Sequence, residues 1–126
     1  MPEKLKYNAS QEEVGNSLMH TLSLIKEKGE TKELKYDMLF KYGRFNFLEN
    51  KLEKAYDIFQ QCSIHGIDNN ILDMKELYYW SARCLEAMGE KIQSLNCYLM
   101  LLERKHYIEN DNEFVDEILD RLLQFG

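Results

Sequence analysis

Two aromatic–arginine pairs form the clearest pattern with a chemical use in this chain. Phe40 stands four residues before Arg44, and Tyr79 four residues before Arg83, a spacing that puts both members of a pair on one face of a helix. Rings offer apolar anchors, and guanidinium groups donate to carbonyls or carboxylates. The chemistry is recognition of a peptide and not the making or breaking of a bond. Phe47 and Glu86 sit on the same helical segments and complete the candidate peptide-binding set of Phe40, Arg44, Phe47, Tyr79, Arg83 and Glu86. The plain alternative is internal use, with the rings buried, Arg83 paired to Glu86 or Glu90 at helical spacing, and Arg44 facing acidic neighbours across the fold. Trp80, in the middle of a long apolar segment, reads as core.

Residues for catalysis do not assemble. The chain has no Gly-rich phosphate loop, no GxSxG, no HExxH and no carboxylate spacing of a calcium loop. His20, His65 and His106 fall on three different expected helices or their ends. Cys62-Ser-Ile-His65 has the spacing of half a metal site, but no companion pair follows it. The expectation is a protein without metal or cofactor that is not an enzyme.

The elements that position the two pairs are written as a repeat. At an offset of 39 residues, Leu39, Gly43, Asn50, Ala55, Phe59 and Cys62 become Tyr78, Ala82, Gly89, Ser94, Tyr98 and Leu101. Small residues allow two helices to approach, and Asn or Gly tolerates a left-handed turn between them. The correspondence is one of residue type: Arg44 and Arg83 are the identical pair across these segments. It describes one helical hairpin made twice.

Composition agrees with that reading. The 126 residues suit a single domain, 44% of them are hydrophobic, and one proline and six glycines favour helices over short strands. Twenty-two acidic against 16 basic residues give a net charge of −6, which repels a phosphate backbone or an anionic membrane surface. Nucleic acid is not an expected partner. No apolar run is long enough for a membrane span, and three cysteines without a framework fit a reducing, cytoplasmic location.

About six helices are expected in an all-α fold. Residues 1–9 read as a flexible leader, without helical periodicity. Ser10-Gln-Glu-Glu13 is a capping box opening a helix over residues 10–28 that Gly29 ends. Hairpins then span about 31–65, capped by Thr31 and turning at Asn50, and about 70–107, turning at Gly89; residues 66–70 read as a linker. Asn110-Asp-Asn-Glu113 is a second capping box, opening a last helix over 111–125 that caps the stack. The acidic residues from Glu109 to Asp120 read as a solvated face.

In these residues the chain resembles the tetratricopeptide repeat family. Gly43, Ala55 and Phe59, with Leu39, Tyr42 and Cys62, match one repeat over residues 36–66, and Tyr78, Ala82, Leu85, Gly89, Ser94, Tyr98 and Leu101 match a weaker copy over 75–105. Asn46 and Ser81 depart from the family's bulkier choices, and the closing proline is absent. The resemblance implies hairpins stacked into a right-handed superhelix whose first helices line a concave wall.

Those first helices carry more apolar residues than one buried stripe uses. From Leu34 to Leu48 and from Leu72 to Met88, aromatic and aliphatic side chains spread around most of the circumference. The excess suggests a groove for an apolar or amphipathic client segment, so the expected role is that of an adaptor or chaperone. The family's heat-shock adaptors hold acidic C-termini through lysine and asparagine on this wall. Phe40 and Tyr79 stand at the cationic position here, which argues against that clamp. Small chaperones of bacterial type III secretion are more similar, being short, acidic and built of three hairpins. The alternative is a self-associating scaffold, or a subunit of a larger assembly, whose aromatic surface is closed by a copy of itself or by a fixed neighbour.

Overall fold

A computed structural model describes residues 5–69 and 74–125, with side chains described except those of 65–69. Seven helices follow one another among them: α1 Gln11–Lys28, α2 Lys32–Leu48, α3 Leu52–Asn69, α4 Met74–Ala87, α5 Lys91–Glu103, α6 Lys105–Ile108 and α7 Asn112–Leu123. Sequence neighbours pack as antiparallel pairs, α1 on α2, α2 on α3, α3 on α4 and α4 on α5, and α2 also reaches α4. The fold is all-α, a stack of helical hairpins.

The 39-residue repeat holds at atomic detail. Asn50 and Gly89 both take positive φ, 62° and 87°. Around Asn50, its own N–H donates to Phe47 O at 3.0 Å and Lys51 N–H to Asn46 O at 2.9 Å; around Gly89, Gly89 N–H reaches Glu86 O at 3.1 Å and Glu90 N–H reaches Leu85 O at 2.9 Å. Both are the same paired bonds that close a helix through a left-handed residue. Gly43 and Ala82, Ala55 and Ser94, Phe59 and Tyr98, and Cys62 and Leu101 are buried pair by pair. Gly43 is required by contact, since a Cβ there would lie 2.6 Å from Phe59 Cε1.

Caps set the helix boundaries. Ser10 Oγ accepts from Glu13 N–H while Glu13 Oε1 accepts from Ser10 N–H, both at 3.1 Å. Thr31 caps α2 through Leu34 N–H. Helix α1 is fixed to α2 by a buried polar cluster in which Thr21 donates to Asp37 at 2.6 Å and Lys41 Nζ lies 2.9 Å from Thr21 Oγ1 and 2.8 Å from Asp37.

Several boundaries differ from expectation. The segment expected as one helix over 90–107 divides at Arg104, whose backbone is extended (φ −90°, ψ 101°). The short α6 turns back so that Tyr107 packs its ring 6.4 Å from that of Tyr78 and its carbonyl accepts from Lys75 Nζ at 3.2 Å. Tertiary docking outweighs helix continuity here. Helix α3 runs on through Gly66 to Asn69, where turn-forming residues suggested a linker; Asn70 and the expected start of the second hairpin at 71–73 lie outside the described residues. The last cap sits one residue later than expected: Asp111 accepts from Phe114 N–H at 3.2 Å. Asn110 instead adopts the left-handed conformation that reverses the chain.

The leader is corrected over its described half. Residues 5–9 are not free of the domain. They lie against α2, α4 and α7, with Ala9 buried and Tyr7 half-buried. Tyr7 and Asn8 make a turn that Ala9 N–H closes on Lys6 O at 3.2 Å, and a short non-helical segment held by side chains has no periodicity to betray it. Residues 1–4 lie outside the description.

Candidate functional site

The wall formed by α2 and α4 brings together Arg44, Tyr79 and Arg83 of the two aromatic–arginine pairs, and it holds residues 5–9 of the same chain. Arg44, 3% exposed, donates from Nη2 to Lys6 O at 2.5 Å and from Nη1 to Leu5 O at 3.4 Å. Its guanidinium stacks 4.3 Å from the centroid of Trp80, while its Nε is buried without a hydrogen-bond partner. Burial pushes the Arg44 pKa down to about 10, against the favourable field of Glu76. The group stays charged at neutral pH, and it meets main-chain oxygens where a buried arginine would ordinarily meet a carboxylate.

Tyr7 fills the neighbouring slot. Its ring lies 5.0 Å from Tyr79, edge to face, and 6.5 Å from Phe114 of α7. Its hydroxyl donates to Glu76 Oε1 at 3.1 Å. Burial and the adjacent Glu76 carboxylate hold the phenol protonated well above its ordinary range. A tyrosine is thus read at both ends, by rings along its body and by a carboxylate at its tip.

The remaining expected residues divide between groove and core. Tyr79 is fully buried, donates to Glu117 Oε1 at 2.6 Å, accepts from Arg83 Nη1 at 2.9 Å, and touches the rings of Trp80, Tyr98 and Phe114. It forms the floor of the slot. Arg83 is half-buried, spread over Phe47 at 5.1 Å and Trp80 at 5.3 Å. Phe47 packs edge-on against Trp80 at 5.7 Å, and Trp80 itself is core. Glu86 turns towards the last helix, accepting from Tyr98 OH at 2.7 Å and from both Nε and Nη2 of Arg121, the latter at 2.6 Å. The expected Arg83–Glu86 pairing is therefore replaced by Arg83–Tyr79 and Glu86–Arg121. Phe40 stands apart, half-buried with its ring 5.7 Å from Phe59 in the α2–α3 interface.

The aromatic excess of the first helices is largely consumed by their neighbours. Helix α2 touches α1, α3 and α4: Phe45 lies against Gly15 of α1, Phe40 against Phe59 of α3, and Phe47 against Trp80 of α4. Three buried faces need apolar residues around most of a circumference. Between α2, α4 and α7 the covering is made by the non-helical residues 5–9.

Beside residues 5–9 an open cleft of about 510 Å³ runs along α7, with Lys6, Tyr7 and Asn8 on one side and Glu113, Asp116, Glu117 and Asp120 on the other. The acidic residues expected as a solvated face are thus in part the wall of this cleft. Asp111 caps α7 and pairs with Lys75 at 2.5 Å. Sequence reasoning missed Tyr7, Glu76, Phe114 and Glu117. The visible signal was a lone tyrosine in a leader otherwise without aromatic residues.

Thiol chemistry has little support at this wall or elsewhere. Cys62 and Cys84 are buried free thiols whose pKa values burial pushes up to about 12, and Cys97 is shifted in the same direction for the same reason. Cys62 belongs to the core, and the side chain of His65, its expected companion, lies outside the description. Among the described residues no helix is long and apolar enough to cross a membrane. Comparison of the chain with protein-family models, curated proteins and solved structures found no match.

Proposed function

We propose that this chain is a non-catalytic, tetratricopeptide-like adaptor or chaperone that holds an apolar or amphipathic segment of a client protein between α2, α4 and α7. One observation carries the reading: this wall already grips a peptide segment, residues 5–9 with a turn at Tyr7 and Asn8, by ring slots and by guanidinium bonds to main-chain carbonyls. Main-chain bonds give affinity without regard to sequence, and the slots supply selectivity. Arg83 and Phe47 border the same wall and remain half-buried.

The test begins with affinity capture from the native cell and identification of what is retained, followed by titration of the purified client segment into wild type and Arg83→Ala. The expected result is at least tenfold weaker binding by the variant, with its thermal unfolding close to that of wild type. The client should also raise the wild-type midpoint. Equal affinity for both proteins would move the client site away from this wall.

A second reading, self-association, is favoured by apolar residues facing outward at the two ends of the stack. Met19 and Leu22 are exposed on α1, and Leu119 and Leu123 on α7, with Leu123 83% exposed. Ends of helical stacks lack a following hairpin to cover them. Solution mass separates the two: a monomer that gains stability with client supports the adaptor, and a stable oligomer lost in Leu119→Glu/Leu123→Glu supports the scaffold.

A further inference from the structure

We propose that residues 5–9 are a stand-in ligand, bound in cis and displaced by the client, and that the client segment carries the same chemistry: an aliphatic residue, a basic residue and a tyrosine that opens a tight turn. The inference rests on the groove reading above and adds both an autoinhibitory contact and the identity of the ligand class.

Three features of the contact support it. First, the fit is that of a ligand in a site. The Tyr7 ring enters a slot walled by Tyr79 and Phe114, and its hydroxyl reaches a carboxylate at the far end. Phenylalanine would leave Glu76 without this donor, so the slot distinguishes tyrosine from it. Second, the grip is on the backbone. Arg44 holds two successive carbonyls, the second of which, Lys6 O, also accepts from Ala9 N–H at 3.2 Å and closes the turn. The buried Nε of Arg44 remains unsatisfied, so the bond set at Arg44 is incomplete. Third, the position before the tyrosine faces negative charge. Exposed Lys6 lines the open cleft opposite Glu113, Asp116, Glu117 and Asp120, and a basic residue is the side chain this wall attracts.

A tethered segment competes at an effective concentration of order millimolar. Residues 5–9 are joined to the folded domain directly at the Ser10 cap, so a client must exceed that competition. Loosening them should raise affinity for an added segment without any change in the wall itself.

The experiment uses the full chain with Tyr7→Ala, and as probe the capped, fluorescent peptide Leu-Lys-Tyr-Asn-Ala-Ser, residues 5–10. Tyr7→Ala should bind it at least tenfold more tightly than wild type. The gain should disappear when the peptide's tyrosine is replaced by alanine, when Arg44→Met is added to the protein, and, in part, when the peptide's lysine becomes glutamate. Should Tyr7→Ala fail to fold, wild type provides the second measurement: excess peptide should shift the amide resonances of residues 5–9 to those of a free segment. Resonances unmoved at millimolar peptide, or equal binding by both proteins, would overturn the proposal. So would a wild-type dimer lost in Tyr7→Ala, because the segment would then be exchanged between copies. If Tyr7→Ala takes up no peptide yet retains Arg83-dependent client binding, residues 5–9 are a fixed part of the wall and the groove reading alone survives. Loss of both would remove both.

Discussion

One added methyl group at position 43 tests how closely the first hairpin must pack. A Cβ there meets three Phe59 ring atoms at 2.6 to 3.0 Å, and that ring is fully buried. Alanine would gain about 1 kcal/mol of helix propensity, but overpacking a closed site costs about 1–3 kcal/mol. The expected outcome for Gly43→Ala is a net loss of about 1 kcal/mol, the middle of the range these two figures leave, seen as a thermal midpoint lower by roughly 3–5 °C. An unchanged or higher midpoint would mean that the Phe59 ring yields. Residue types at such positions were legible in the sequence, because a small residue opposite an aromatic has one geometric use. Burial was less so. Arg44 and Tyr79 read as wall residues open to a partner, yet both are buried; Tyr7 and α7 cover them, and a helix cannot show in its own periodicity what will be laid across it.

At the level of elements, the two hairpin turns share one mechanism and so should answer to one substitution. Gly89 has φ of 87° and nothing within 4 Å of the place a Cβ would occupy, so Gly89→Ala changes backbone strain alone. Asn50 holds the equivalent conformation at 62°. Each turn should lose about 1 kcal/mol on conversion to alanine, measured as a lower urea midpoint at unchanged m. A neutral result at either position would show that its turn does not depend on the left-handed residue. The 39-residue offset made these turns and the paired core positions readable, since caps and close approaches are local and leave residue-type signatures. What escaped has physical causes. Arg104 breaks α5 from α6 because Tyr107 docks on Tyr78 and Lys75, a contact between residues roughly thirty positions apart. Residues 5–9 escaped because a short non-helical segment held by Arg44 and Tyr79 takes its place from its host.

For the whole molecule, buried phenols and thiols set how it fails at high pH. Burial pushes Cys62 and Cys84 from an ordinary 9.0 up to about 12, and burial raises Tyr7, Tyr79 and Tyr98 above their ordinary 10.0. The folded chain therefore keeps protons that the unfolded chain sheds, and stability falls as pH rises past the unfolded values. Each such proton is worth about 1.4 kcal/mol per pH unit. The two thiols alone remove about 3 kcal/mol by pH 10, a large part of a typical margin of about 5–15 kcal/mol, and the three phenols add to the loss above it. Arg44, pushed down to about 10 by burial, and Tyr42, lowered by its hydrogen bond with Lys54, work the other way, since from each the folded chain releases a proton the unfolded chain retains; these two oppose the raised thiols, Cys97 among them, and the raised phenols. Stability should be level from about pH 7 to 8.5, fall from about pH 9, and be lost near pH 11. Circular dichroism followed together with tyrosinate absorbance checks this. Tyr79 and Tyr98 should ionise with the loss of helix and not before it, and so should half-buried Tyr7, apart from any fraction released when residues 5–9 leave their groove. All eight tyrosines titrating with a midpoint near 10 while the helices persist would show that Tyr79 and Tyr98 are open to water, and the core drawn around them would have to be abandoned.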